Sequence, residues 1–248
     1  MSSLFRQVLI VLVISTLLIV GVNGMVFATS INPQIANISY WYSDDDIRAV
    51  IKSRLGNSVY IAPAVPNNSE LIRDAAAAAL LEAQAGKTAL IPVNLNNNHW
   101  TGIAIRTKAD GNIIVFYNDS FGAPIGGKGS ESDQYIAAIK KILPTSEIVD
   151  LRVHQQNDGS SCGAFTAENL IALAGLSQVN LTPEAARDLL ANITDVRTIR
   201  ILQLGSLEAK IITAAEIIAG SMAGKYAEAV SEVAFSDMAN VAGAISDR

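Results

Sequence analysis

The 248-residue chain contains one cysteine and two histidines, and three of its segments put unlike reactive groups in order. His99 closes "NNNHW", Asp119 lies twenty residues on in "YNDS", and "VHQQNDGSSCGAF" holds Cys162 with Gln156 six residues before it. Nucleophilic thiol chemistry needs a thiolate, a base with a pKa near neutral, a group that orients the base, and donors for a developing oxyanion. Helix-forming composition begins at Cys162, and a helix N-terminus favours a thiolate through its dipole and its unpaired N–H groups. Each residue alone has a plainer role. A single cysteine is commonly a small buried hydrophobe, His99 suits a surface loop, Asp119 suits a turn at a strand end, and Gln156 suits solvent. Their joint occurrence in suitable contexts favours the catalytic reading. His154 reads as a solvent-facing strand end, and one cysteine with two distant histidines offers no familiar metal-ligand spacing. No metal and no cofactor is expected.

The elements that must position these groups follow from local patterns. In "YWYSDDDIRAVIKSRLG", Ser43 and Asp46 have capping-box spacing, an apolar stripe follows at Ile47, Val50 and Ile51, and Gly56 stops the helix. The acidic run is therefore helix-start chemistry. "SELIRDAAAAALLEAQAG" is a second helix, and "TALIPVNL" a buried strand. "TGIAIRT" and "NIIVFYND" flank Asp110-Gly111, a hairpin signal. If Thr107 pairs with Ile113, Asp119 falls opposite Thr101, on the face and at the end where His99 stands. A slip of one residue would turn Asp119 away and leave Asn118 as the orienting group. A glycine-rich loop, "FGAPIGGKGS", lacks the spacing of a phosphate cradle and reads as a mobile loop. Further helices are expected at "ESDQYIAAIKKIL", from Cys162 to about Ala174 with Ser160 or Ser161 as N-cap, and at "LTPEAARDLLANI", with a strand at "EIVDLRV". The fold class is α+β, a small mixed or antiparallel central sheet flanked by helices. The domain spans 36–205, and 206–248 form an alanine-rich helical tail.

Composition narrows the function. A net charge of −5 and the absence of a basic stripe leave no footprint for nucleic acid. A single cysteine excludes an internal disulfide framework. Residues 1–28 have one arginine, an uncharged apolar run and then small residues, the layout of an export signal; residues 8–28 are also long enough to serve as a membrane anchor.

"HW", then "DS", then Gln156 six residues before Cys162 together resemble the adenain/Ulp1-like cysteine proteases, which include SUMO proteases and bacterial effector deubiquitinases. "WYSDDDI" is similar to the family's Trp-x-x-Asp-x-x-Ile motif. The resemblance covers about residues 41–175. It implies a papain-like-superfamily fold of the Ulp1 type, with Cys162 as nucleophile, His99 as base and acid, Asp119 as orienting carboxylate and Gln156 as oxyanion donor. It also implies substrate contacts from Trp100, Trp41 and Gly163 along a narrow channel for a Gly-Gly terminus. Ser161 departs from the aspartate common in eukaryotic members and is more like the bacterial ones. Expected partners are ubiquitin or ubiquitin-like proteins of a host, met by an exported bacterial deubiquitinase. The alternatives are an effector-type acetyltransferase using acetyl-CoA on the same scaffold and an inactive ubiquitin-binding adaptor.

Overall fold

Strands β2 (Thr88–Leu95), β3 (His99–Thr107) and β4 (Ile113–Asn118) form the antiparallel centre of a five-stranded sheet, in a computed structural model that describes residues 32–211 and 213. Thr107 pairs with Ile113 and Gly102 with Asn118, so the hairpin has the register expected from Asp110-Gly111. Two short edge strands, β1 (Val59–Ile61) against β2 and β5 (Glu147–Asp150) against β4, pair in parallel and make the sheet mixed. The proposed export segment and the tail beyond residue 213 lie outside the described residues. Among the described residues, no helix is long and apolar enough to cross a membrane.

Strict alternation along the central strands divides the core into two layers. Leu90, Trp100, Ala104, Ile114 and Phe116 face one layer, while Ile91, Val93, Ile103, Ile105, Val115 and Tyr117 face the other. Helices α2 (Ser69–Gln84) and α3 (Glu131–Ile142) cover the second layer. The first is covered by α1 (Asp44–Leu55), α4 (Cys162–Gly175) and α5 (Pro183–Ala191). A last helix, α6, begins at 196 and runs through 207, where the compact unit Ile31–Leu207 ends.

Helix α4 carries the cysteine and is the most deeply set of these helices. Ten of its 14 residues are buried, so it behaves as a core helix with only a narrow, partly exposed stripe at Glu168, Ala172 and Gly175. Gly102 of β3 permits this depth, since a Cβ there would stand 3.1 Å from the Leu170 side chain. The start of α1 has the anticipated capping box, in which Ser43 caps Asp46 N–H and the Asp46 carboxylate accepts from Ser43 N–H at 2.8 Å. Asp46 also accepts from the Tyr40 hydroxyl at 2.7 Å and so ties the preceding strap, residues 32–42, to the helix. The glycine-rich loop is hydrogen-bonded at Ile125 N–H to Asp150 and at Gly126 N–H to Ser132.

Candidate active site

His99 is the first residue of β3 and follows a turn in which Asn96 and Asn97 have φ of 53° and 55°. Asparagine tolerates that left-handed conformation better than most residues, which accounts for the asparagine run ahead of the histidine. Glu131, buried at the start of α3, accepts from Asn96 N–H at 3.0 Å and anchors the turn. Asp119 follows the last residue of β4, and its Oδ1 lies 2.8 Å from His99 Nε2. The same oxygen accepts from Phe121 N–H at 2.8 Å, so the carboxylate is fixed before it fixes the ring. The exposed Phe121 ring stacks on the imidazole with centroids 5.0 Å apart. Asn118, the other candidate orienting group, points to Gln155 instead.

With Nε2 committed to Asp119, the imidazole keeps Nδ1 for the Cys162 thiol, whose nearness is one of the influences that raise the ring's affinity for a proton. The ring's pKa is raised to about 9: burial opposes its charged form, but hydrogen bonds to Asp119 and Cys162, reinforced by their charges, outweigh that penalty. The arrangement therefore favours a protonated imidazole beside the Cys162 sulfur. A folded-state pKa above the ordinary 6.5 contributes stability that is fully present below about pH 6.5 and is lost as pH rises through about 9. The urea midpoint is expected to decline across that window in the wild type and to decline less steeply in His99→Ala; equal slopes would contradict the ion-pair reading.

Cys162 is 1% exposed at the first position of α4. Ser161 occupies the N-cap position, but its buried hydroxyl makes no capping bond. This differs from the serine cap expected from sequence. Asp158 instead accepts from the backbone N–H groups of Ser160 and Ser161, each at 2.8 Å, and folds the approach to the helix. The first N–H groups of α4 have no side-chain cap, so they remain open to an oxyanion.

Gln156 is buried and doubly held. Its Oε1 accepts from the Ser120 hydroxyl at 2.7 Å, and its Nε2 donates to the Asp158 carbonyl at 2.6 Å. A carbonyl can only accept, so the Asp158 contact fixes which end of the amide is nitrogen. One Nε2 hydrogen remains after that bond. Neighbouring Gln155 exchanges two amide hydrogen bonds with Asn169 of α4, at 2.9 and 2.8 Å, and donates to the Leu190 carbonyl of α5. Ser120 and Gln155 escaped the sequence reading. Their signal was adjacency alone, Ser120 after the carboxylate and Gln155 before the amide.

The three residues assigned to substrate contact are differently placed. Trp41 is 41% exposed, whereas Trp100 is 3% exposed and donates its indole N–H to the Tyr42 carbonyl at 2.9 Å. Both line a cavity of about 750 Å³ whose walls also include Asp44, Asn96 and Glu131. Gly163 is a close-packing position, because a Cβ there would stand 2.6 Å from the Tyr42 Cβ and 3.4 Å from Trp100 Cδ1. Gly163→Ala is expected to cost about 1–3 kcal/mol of stability through overpacking, read as a lowered urea midpoint. An unchanged midpoint would mean that the strap at Tyr42 yields freely. His154 is exposed, with Nδ1 2.8 Å from the Phe121 carbonyl and Nε2 3.0 Å from Asn157 Oδ1, and takes no part in the centre.

Comparison with known proteins puts this geometry in context. The family model described as the RickCE-like catalytic domain matches residues 87–193. No curated protein matches the chain. Among solved structures, the Rickettsia bellii effector RickCE has 19% identity and a TM-score of 0.45, covering 66% of this chain and 98% of that one. The Xanthomonas campestris effector XopD, solved bound to ubiquitin, has 19% identity and a TM-score of 0.47, covering 67% and 91%. The C-terminal protease domain of Ulp1, solved with Smt3, the yeast orthologue of SUMO, has 18% identity and a TM-score of 0.42, covering 70% and 80%. Because the matched segment contains His99, Asp119, Gln156 and Cys162 together, the likeness of this chain to the adenain/Ulp1-like cysteine proteases, RickCE-like catalytic domains among them, extends over the whole segment that carries them.

Proposed function

We propose that the chain is a cysteine protease that cleaves the peptide or isopeptide bond after the C-terminal glycine of ubiquitin or a ubiquitin-like protein. The observation that carries the chemistry is the chain of contacts from Asp119 through His99 to a sulfur at an uncapped helix start. The thiolate of Cys162 attacks the glycine carbonyl, and the oxyanion is met by the open N–H groups of α4 and the remaining Gln156 hydrogen. His99 gives its proton to the leaving amine, which departs and leaves a thioester. Water, deprotonated by His99, then releases the glycine carboxylate and restores the thiol pair.

The substrate class is supported by the resemblance of the "HW", "DS" and Gln156-to-Cys162 motifs, and by the family model over 87–193. Trp41 and Trp100 beside the cavity suit a flexible glycine tail, since wider side chains would meet the indoles. The setting proposed is a bacterial effector exported to a host that supplies the ubiquitin-like substrate, and the signal-like residues 1–28 support export. In the same direction, Asn118-Asp119-Ser120 is a glycosylation sequon at the site, unsuited to a eukaryotic secretory route.

The test is incubation of the full chain with ubiquitin and SUMO carrying a C-terminal electrophile. One of them is expected to form a covalent adduct with Cys162, located by peptide mass spectrometry, and prior alkylation should block it. Acetylation of Cys162 by acetyl-CoA without labelling by either probe would replace this reading with acetyl transfer. Absence of all labelling would leave a binding module.

A further inference from the structure

Helix α6 packs an apolar stripe of Val196, Ile199, Leu204 and Leu207 against the core but sets two polar side chains within that stripe. Ile201 and Leu202 are 65% and 56% exposed, while Arg200 and Gln203, three residues apart on one face, are both fully buried. Burial of a guanidinium is costly unless its donors are used and its charge is matched. The donors are used on backbone: Nη1 donates to the Ile35 carbonyl at 3.1 Å, and Nη2 to those of Tyr40 at 2.9 Å and Ser160 at 3.3 Å. The guanidinium also lies over the Tyr42 ring, 4.8 Å from its centroid. Nε has no partner, and among the described residues no carboxylate lies within ion-pair distance of Arg200. The positive charge therefore enters the core without an ion-pair partner.

Its contacts converge on the nucleophile. Ser160 stands two residues before Cys162, and Tyr42 packs against Gly163, one residue after it. Gln203 completes the brace by accepting from the Tyr42 hydroxyl at 2.8 Å and donating to the Ala164 carbonyl in the first turn of α4 at 3.0 Å. We propose that Arg200 is a positioning residue of the Cys162 centre, holding the loop before the nucleophile against the N-terminal strap and setting a positive charge with no ion-pair partner behind the thiol. Arg200 lies beyond residues 87–193, so this role completes the centre from outside the matched segment.

The proposal rests on Cys162 being the nucleophile, but not on which substrate it attacks. The charged and titratable groups gathered around the thiol are His99 from β3, backed by Asp119; Asp158 from the preceding loop; Tyr42 from the strap; and Arg200 from α6. Burial lowers the Arg200 pKa, while the charges of Tyr42, Asp158 and Cys162 act in the opposite sense, which fits a guanidinium in electrostatic reach of the sulfur. Guanidinium is protonated at every pH a protease works in.

Cys162 is the chain's one cysteine, so iodoacetamide alkylation reports its ionisation without interference. Alkylation rates of the full chain against pH are to be measured for wild type, Arg200→Lys, Arg200→Met and Arg200→Gln, each checked for native circular dichroism. The neutral variants are expected to raise the alkylation midpoint by about one pH unit, the scale of one nearby charge at an effective dielectric of about 20. Arg200→Lys, which keeps the charge and loses the fork, is expected to keep the midpoint while its urea midpoint falls. A folded neutral variant with the wild-type midpoint overturns the proposal, since a purely structural brace would alter stability alone. If neither neutral variant folds in buffer alone, both are measured beside wild type in trimethylamine N-oxide, an osmolyte that favours the folded state, and the same two outcomes decide. A result from alkylation stands whether or not any ubiquitin-like probe labels the protein.

Discussion

His99→Ala is expected to lower kcat/KM for cleavage of a ubiquitin-like substrate by about 10⁴-fold or more, most of it in kcat. In the proposed mechanism the imidazole has three tasks that no neighbour can assume. It pairs with the Cys162 sulfur, protonates the leaving amine, and deprotonates the water that hydrolyses the thioester. His154 cannot substitute, because its two ring nitrogens lie against the Phe121 carbonyl and Asn157, on the exposed side of the loop. Asp119→Asn should fall less far, by about 10²–10⁴-fold, because an amide at 119 still contacts the ring but carries no charge and has one oxygen, not two, to offer where the ring needs an acceptor. Kinetics on a fluorogenic ubiquitin-like conjugate would measure both. Retention of His99→Ala activity within tenfold of wild type would remove the imidazole from the mechanism. Folding of each variant is checked by circular dichroism, since the pair with Asp119 also contributes stability below about pH 9.

The parts of the molecule legible in the sequence are those set by local chemistry. The Ser43–Asp46 capping box, Gly56 with φ of 62°, and Thr182-Pro183 at the start of α5 each specify a helix end within a few residues. Asp110-Gly111 set the register of β3 and β4, which in turn decides that Asp119 and His99 share a face. Three-residue β1 and the parallel pairing of both edge strands were not legible, because parallel partners are joined by long crossovers and leave no local turn signal. The serine cap on α4 failed for a different reason. Ser161 has the right residue type, but Asp158 already binds the turn and the serine hydroxyl is buried without a partner. Arg200 is the clearest case of information absent from local sequence. What neutralises its donors are carbonyls of Ile35, Tyr40 and Ser160, distant in the chain, and a buried arginine is spelled like a surface one. The one available hint was the apolar pair Ile201-Leu202 beside it, which leaves Arg200 on the opposite face of the helix.

Gln156→Ala is expected to lower kcat by about 10²–10³-fold with little change in KM, the loss seen when one preorganised oxyanion donor is removed. The amide is buried, and each of its ends is fixed by a different partner, so in the proposed mechanism it meets the reacting carbonyl without reorganising. An oxyanion donor acts on charge that develops in the transition state, which is why kcat and not KM should carry the effect. Ser120 supplies the test that separates donation from packing. Its hydroxyl donates to Gln156 Oε1, and its carbonyl accepts from the Gln155 and Gln156 N–H groups at 2.8 and 2.9 Å. Ser120→Ala leaves the carbonyl and releases only the amide, and a loss of about tenfold in kcat corresponds to one hydrogen bond of roughly 1.4 kcal/mol. Because Ser120 acts through Gln156, its substitution should cost nothing further when position 156 is already alanine. A full additional loss in the double variant would show that Ser120 influences catalysis by another route, and equal losses in kcat and 1/KM would place Gln156 in substrate binding instead of the oxyanion site.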